Sequence, residues 1–195
     1  MAAPGTLSVT DRIDTLFTYL PGNDKPFESG TRVHVHHGTR EVLGRVLLMD
    51  DVAQLQPGER AYAQIRLEKP LAPRYDDRFI VRSYSPVFTI GGGVVLDALP
   101  QRRTHLRAHE RELLDALFAH DLTSAATGLL ASRGVPMTSA QVAAALGVPR
   151  ARVAEELNRA ADLKRLTVGG DTYLVTADVL DRLISCAVDA LLRFH

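Results

Sequence analysis

Three histidines within four residues are the first feature of the sequence that suggests chemistry. His34, His36 and His37 lie where valines alternate with polar residues, the two-residue period of a β-strand. His34 and His36 therefore share a strand face, which suits metal chelation, but a tetrahedral site needs further ligands. No cysteine is near, and Glu41 would have to fold back across a turn to serve as a ligand. We therefore predict no metal site and expect His36 and His37 to be exposed or to face RNA, which imidazole can hydrogen-bond or stack on.

Arginine is the main basic residue, with 20 arginines against 3 lysines and a formal net charge of zero. The neutral total argues against a strongly basic nucleic-acid scaffold. Arginine nevertheless has a planar fork that fits phosphate and stacks on bases. A genomic bias towards arginine and alanine would produce the same excess, so composition alone does not decide between the two explanations.

No catalytic or cofactor-binding constellation stands out. Ser83 and Ser85 lack an adjacent His-Asp arrangement, and Cys186 falls on the apolar side of a helical pattern, which favours a core position. The run at 91–93 is Gly-Gly-Gly inside a strand pattern, typical of a bulge or a close backbone approach. No Gly-x-x-x-x-Gly-Lys-Ser/Thr loop occurs, so we predict no catalytic residue and no GTP site in this chain.

The elements that position these residues change type near residue 100. Residues 1–100 contain about six short β-branched runs separated by turn residues, which predicts a small antiparallel six-stranded β-barrel. Residues 101–176 follow helical spacing. No secretory signal or long apolar run is present, so we expect a cytoplasmic protein.

The helical part has the pattern of a winged-helix domain. Thr138 or Ser139 is expected to cap a helix that ends at Gly147, and a second helix follows at once. A Gly-Gly-Asp turn between two strand patterns then predicts a β-hairpin wing. Residues 177–195 carry one more apolar helical stripe, which we interpret as a helix that opens a further domain.

The β half resembles the third domain of elongation factor Tu and, more closely, the matching domain of selenocysteine-specific translation elongation factors. The segments that carry the resemblance are 35–46, 55–59, 77–86 and 89–97, with the runs His-His-Gly-Thr and Ile-Gly-Gly-Gly-Val-Val-Leu-Asp. A winged helix directly after that barrel adds support, because elongation factor Tu has none. The chain thus resembles the C-terminal part of such a factor.

This resemblance implies a role in delivering selenocysteinyl-tRNA to the ribosome at a recoded UGA codon. In the whole factor a GTPase domain would bind GTP and magnesium, the barrel would hold the tRNA, and terminal winged helices would bind a hairpin in the selenoprotein mRNA. The present chain lacks the GTP-binding loop, and we expect its single winged helix to act as a spacer towards the hairpin-binding modules.

Candidate RNA-contacting arginines follow from the resemblance. Arg40, Arg45 and Arg82 lie in or beside the segments that carry it, although acidic neighbours such as Glu41 and Asp77 would also fit a solvated or ion-paired face. In the helical part, the arginines at the usual recognition-helix position are accompanied by two glutamates. These helical candidates are Arg150, Arg152 and Arg159.

A second hypothesis comes from another class of protein, a winged-helix transcription regulator with a β sensing domain. Such a regulator normally has a basic recognition helix, whereas residues 101–195 hold 12 basic and 11 acidic residues. It also has no reason to carry the elongation-factor segments. The translation-factor hypothesis is therefore preferred.

Overall fold

The computed structural model describes residues 9–148, 150–157, 160 and 163–193. The chain divides into two compact units, residues 1–106 and residues 107–195, and each is described by itself below. No helix in the described ranges is long and apolar enough to cross a membrane.

The first unit is a closed antiparallel barrel. Six strands close it in the order β1-β6-β4-β3-β7-β8, while β2 and β5 form a separate two-stranded sheet. This confirms the predicted six-stranded barrel. The strands are β1 Thr10–Tyr19, β2 Phe27–Glu28, β3 Thr31–His37, β4 Arg40–Leu48, β5 Gln54–Leu55, β6 Arg60–Leu71, β7 Arg78–Ser83 and β8 Thr89–Asp97.

Alternation of inward and outward side chains along the strands builds the barrel core. Inward residues are mostly aromatic, β-branched or leucine and almost fully buried, and each large apolar side chain contributes about 1.5–3 kcal/mol on burial. Their neighbours point outward and carry the polar groups. Core members include Ile13, Phe17, Val33, Val35, Val42, Val46, Ile65, Phe79, Val81 and Val95.

The glycine run in β8 permits the barrel to close. A Cβ at Gly91 would lie 2.7 Å from the carbonyl oxygen of Thr18, one at Gly92 would lie 2.6 Å from that of Phe79, and one at Gly93 would overlap that of Leu16. The predicted close backbone approach is confirmed, because both strands that flank β8 come too near for a side chain.

Residues 98–106, here called the covering segment, run back over the outside of the barrel. Thr104 O accepts a hydrogen bond from Asp50 N at 3.1 Å, and Leu106 N donates to the Asp50 carboxylate at 2.8 Å. Gln64 Nε2 donates to Gln101 O at 2.9 Å. The compact barrel unit therefore extends to Leu106.

In its described residues, the second unit combines five helices with a three-stranded sheet of order β10-β11-β9. Two helices precede the predicted helix-turn-helix and hairpin, and a long helix follows them. The elements are α1 Ala108–Phe118, α2 Leu122–Arg133, β9 Met137–Thr138, α3 Ser139–Leu146, α4 Arg150–Leu157, β10 Leu163–Val168, β11 Asp171–Thr176 and α5 Ala177–Arg193.

The helix signals in this unit are mostly confirmed. Thr138 caps α3 in a reciprocal capping box with Gln141, and Gly147 ends the helix in the left-handed region at φ 66°. The hairpin turn places Gly169 and Gly170 at φ 61° and 90°, positive values that a two-residue turn of this type requires. Helix α2 was not predicted, because its apolar residues do not form a narrow stripe.

Helix α5 confirms the helical spacing of the last segment. Most of its apolar stripe is exposed, since Val179 is its one buried residue among those described. Cys186 is exposed, so the interpretation of this thiol as a core residue is wrong. Larger apolar residues exposed on α5 are Leu183, Ile184, Val188, Leu191 and Leu192.

Replacement of Gly93 by alanine should destabilise the barrel. The added methyl group overlaps the Leu16 carbonyl, so the β1–β8 pairing must shift, at a cost of about 1–3 kcal/mol or more. Urea unfolding would measure the loss. Gly22→Ala is the matched control, since a Cβ there meets nothing within 4 Å, and equal stability of the two variants would contradict the close-approach explanation.

Candidate nucleic-acid interface

The outer face of β3 carries the two histidines that share a strand face. His34 Nδ1 lies 2.6 Å from Glu41 Oε1, and His36 Nε2 lies 3.3 Å from Glu41 Oε2 without hydrogen-bond geometry. Glu41 does fold back across the turn, because β3 and β4 pair in register and bring it opposite His36. Within the described ranges no group of three or more histidine, cysteine or acidic residues could hold a metal ion.

Tyr84, which the sequence analysis missed, stacks on this face. Its ring lies 5.7 Å from the imidazole of His34 at an interplanar angle of 18°, and the guanidinium carbon of Arg32 lies 4.8 Å from its centroid. Arg32 also forms a two-pronged ion pair with Glu68 at 2.7 and 2.8 Å. The face thus presents a half-exposed aromatic ring in contact with both a cation and an imidazole.

Among the described residues no ion pair neutralises the predicted barrel arginines, although the hydrogen bond from Arg32 and, to a lesser degree, the charge of Arg45 lower the pKa of Glu68. Arg45 Nη1 donates to Gly30 O at 2.9 Å, and Arg82 Nε is buried without a hydrogen-bond partner in the described part of the chain. Arg40 stands opposite His37 in the β3–β4 pairing. Asp77 binds His37 Nε2 at 2.8 Å instead.

The structure therefore divides the barrel candidates into two groups. His36 and Arg82 lie on the outer face shared by β3 and β7, where His34 stands opposite Arg82. His37 and Arg40 flank the β3–β4 turn. Arg45 belongs to neither group, because it lies farther along β4, between Arg32 of β3 and Arg66 of β6.

The candidates in the helical unit form no uncompensated basic cluster. Arg150 and Arg152 are both exposed on α4, but Arg152 Nε binds Glu156 at 3.0 Å, one helical turn away. Arg159 lies outside the described residues. The two described arginines thus provide a single unneutralised charge for a phosphate.

A buried polar cluster beneath the covering segment was also missed from the sequence. Asp14 points outward from β1, opposite Gln64 of β6, yet both are fully buried. Arg103 covers them, and its Nε and Nη2 donate to Asp14 Oδ2 at 2.8 and 2.5 Å. Gln64 Nε2 donates to Asp14 Oδ1 at 2.9 Å, and Asp97 Oδ2 lies 3.8 Å from Arg103 Nη2.

Two carboxylates share one guanidinium in this cluster. Burial raises the pKa of Asp14 to about 7, the charge of Arg103 opposes that rise, and the charge of Asp97 adds to it. A buried charge without its partner is strongly destabilising. The cluster is thus an electrostatic attachment between the barrel wall and the covering segment.

Comparison with known proteins identifies the barrel. Residues 14–102 match the family described as selenocysteine-specific elongation factor, beta-barrel domain. The barrel is thus similar to the beta-barrel domain of selenocysteine-specific elongation factors. A selenocysteine-specific elongation factor of Desulfomicrobium baculatum is 30% identical over 203 residues, an alignment that covers 100% of this chain and 31% of the relative. The chain therefore spans about a third of the length of this family member, and the resemblance inferred from the motifs is confirmed.

Replacement of Asp14 by asparagine should remove a pH dependence of stability. With its pKa raised to about 7, folded Asp14 keeps a proton that the unfolded chain releases between about pH 4 and 7. This contribution to stability is complete below the unfolded pKa and is lost as the pH rises through the folded pKa. Between pH 5 and pH 8 the wild type should lose about 2 kcal/mol more than the variant.

Urea unfolding followed by tyrosine fluorescence would measure this difference, since four of the five tyrosines belong to the barrel unit. Asp24→Asn at an exposed position is the control and should retain the wild-type pH dependence. Parallel pH profiles for wild type and Asp14→Asn would contradict the shifted titration.

Proposed function

We propose that this chain takes part in delivering selenocysteinyl-tRNA to the ribosome at recoded UGA codons, and that its barrel contacts the tRNA. The family of the barrel is the observation that carries the proposal. The arginines on its surface support it, because Arg40 and Arg82 have no acidic partner among the described residues. Guanidinium groups that no carboxylate neutralises can bind the phosphates of a nucleic-acid backbone.

The chemistry of the chain is binding rather than catalysis. It contains no phosphate-binding loop with a Gly-Lys pair, the feature that cradles the phosphates of GTP in P-loop proteins. We infer that GTP and magnesium are used by another part of the whole factor, in the cytoplasm where translation takes place. The barrel would then contribute affinity for tRNA without a cofactor of its own.

The helical unit is proposed to act as a spacer. Its recognition-helix position offers only weak attraction for phosphate, because Glu156 neutralises Arg152 and Glu155 adds a further negative charge beside it. Strong backbone binding needs several uncompensated basic residues. We infer that reading of the selenoprotein mRNA hairpin belongs to other modules of the whole factor, which this unit would hold at a distance.

Simultaneous replacement of Arg40 and Arg82 by alanine should weaken tRNA binding and its dependence on salt. Each lost phosphate contact lowers the slope of log K against log salt concentration by about 0.9 for a duplex, so the expected decrease is about 1–2. Fluorescence anisotropy with a labelled tRNA transcript over a KCl series would measure it.

The matched control is the double variant Arg150→Ala with Arg152→Ala. It removes the same number of charges from the helical unit and should leave the slope unchanged. A wild-type chain that fails to bind tRNA would overturn the proposed function, and an equal effect of both double variants would contradict the assignment of binding to the barrel.

A further inference from the structure

Four arginines stand side by side across four neighbouring strands of the barrel. Arg12 of β1 pairs with Arg66 of β6, Arg66 pairs with Arg45 of β4, and Arg45 pairs with Arg32 of β3. The residue that follows each of them is an inward core residue, so all four side chains point outward. We call these four residues the arginine row.

A fifth arginine joins the row from the covering segment. Arg102 is exposed, directly before the buried Arg103 that attaches the segment to the barrel. Burial lowers the pKa of Arg66, and the charges of Arg102 and Arg12 lower it further. Arg66 therefore lies within electrostatic reach of two other guanidinium groups.

Acidic residues neutralise only part of this charge. Arg12 pairs with Asp11 at 2.8 Å, and Arg32 pairs with Glu68 at 2.7 Å. The other three guanidinium groups have no ion-pair partner among the described residues, since Arg45 donates to a backbone carbonyl and Arg66 to the amide oxygen of Gln64 at 3.4 Å. Five cations thus face two carboxylates, an excess of three positive charges.

Such a row of neighbouring positive charges lowers the stability of the folded barrel. Like charges directly opposite each other on neighbouring strands are destabilising, and a surface that served stability alone would alternate their sign. With strands about 4.8 Å apart, the four in-register residues extend over about 14 Å. Measured along the axis of a double helix, that length contains roughly four phosphates of each strand.

We propose that the arginine row, extended by Arg102, binds the sugar-phosphate backbone of an RNA helix. The inference rests on the proposed function and deepens it, because it moves the centre of the RNA-contacting surface from the β3–β7 face to β1, β6 and β4. Arg45, predicted from the sequence as an RNA contact, belongs to this row. Backbone contacts of this kind position an RNA without reading its sequence.

The test neutralises Arg66 of the row and Arg102 of the covering segment, which form no ion pair among the described residues. The full chain with Arg66→Gln and Arg102→Gln should bind a labelled tRNA transcript roughly tenfold or more weakly at 100 mM KCl. Its slope of log K against log salt concentration should fall by about 2. Because a repulsion is removed, thermal stability should stay equal or rise, an effect that a merely structural role of these arginines would not produce.

Two further variants and a second RNA make the result decisive. Arg66→Lys with Arg102→Lys keeps the charge and should keep the salt slope, whereas Arg74→Gln with Arg78→Gln removes two exposed charges outside the row and should leave binding unchanged. A duplex RNA hairpin of unrelated sequence should respond to the variants as the tRNA does. If the hairpin does not bind, recognition is specific to tRNA and backbone binding as proposed is overturned.

The remaining outcomes separate this inference from the proposed function. Wild-type binding that survives Arg66→Gln with Arg102→Gln at full strength overturns the arginine row but leaves the proposed function in place. An equal loss in the Arg74→Gln and Arg78→Gln variant shows a general effect of net charge and also overturns the row. A wild type that binds neither RNA overturns both.

Discussion

The ion pair between Asp14 and Arg103 is the interaction on which the outer surface of the barrel depends. Asp14 points away from the core, where a carboxylate would normally be hydrated, and the covering segment removes it from water. Burial raises the pKa of Asp14 to about 7, so the carboxyl group is largely neutral below that pH. The segment is held against β1 and β6 by the hydrogen bonds that Arg103 donates to this carboxyl group and that Gln64 donates to the backbone of the segment.

That attachment also determines what the barrel presents to solvent. Gln64 donates to both Asp14 and the backbone of the covering segment, and its amide oxygen accepts from Arg66. The same side chain thus connects the buried cluster with the exposed arginine row. Arg102, next to the buried arginine in sequence, is brought to the row as a consequence of the attachment. A neutral protein acquires a strongly cationic surface region in this way.

Local signals made much of the fold predictable. The alternation of valines with polar residues predicted the barrel strands, and Thr138 and Gly147 predicted both ends of α3, because these signals act within a few residues. Helix α2 was missed since alanine and glycine give it no distinct apolar stripe. The burial state of Cys186 was misjudged for the opposite reason: an apolar helical pattern does not show whether anything packs against it.

The surface chemistry was much less predictable, because it depends on register between distant strands. Arg12 and Arg66 are far apart in sequence and become neighbours only through β1–β6 pairing, and total charge gave no sign of the row. Closure of the barrel has one more consequence for recognition. A closed sheet offers no free strand edge, so a partner cannot bind it by adding a strand and must read side chains instead. Substitutions on the outer wall can therefore alter partner choice while the hydrogen-bonded framework and the core stay the same, which separates the evolution of binding from the evolution of the fold.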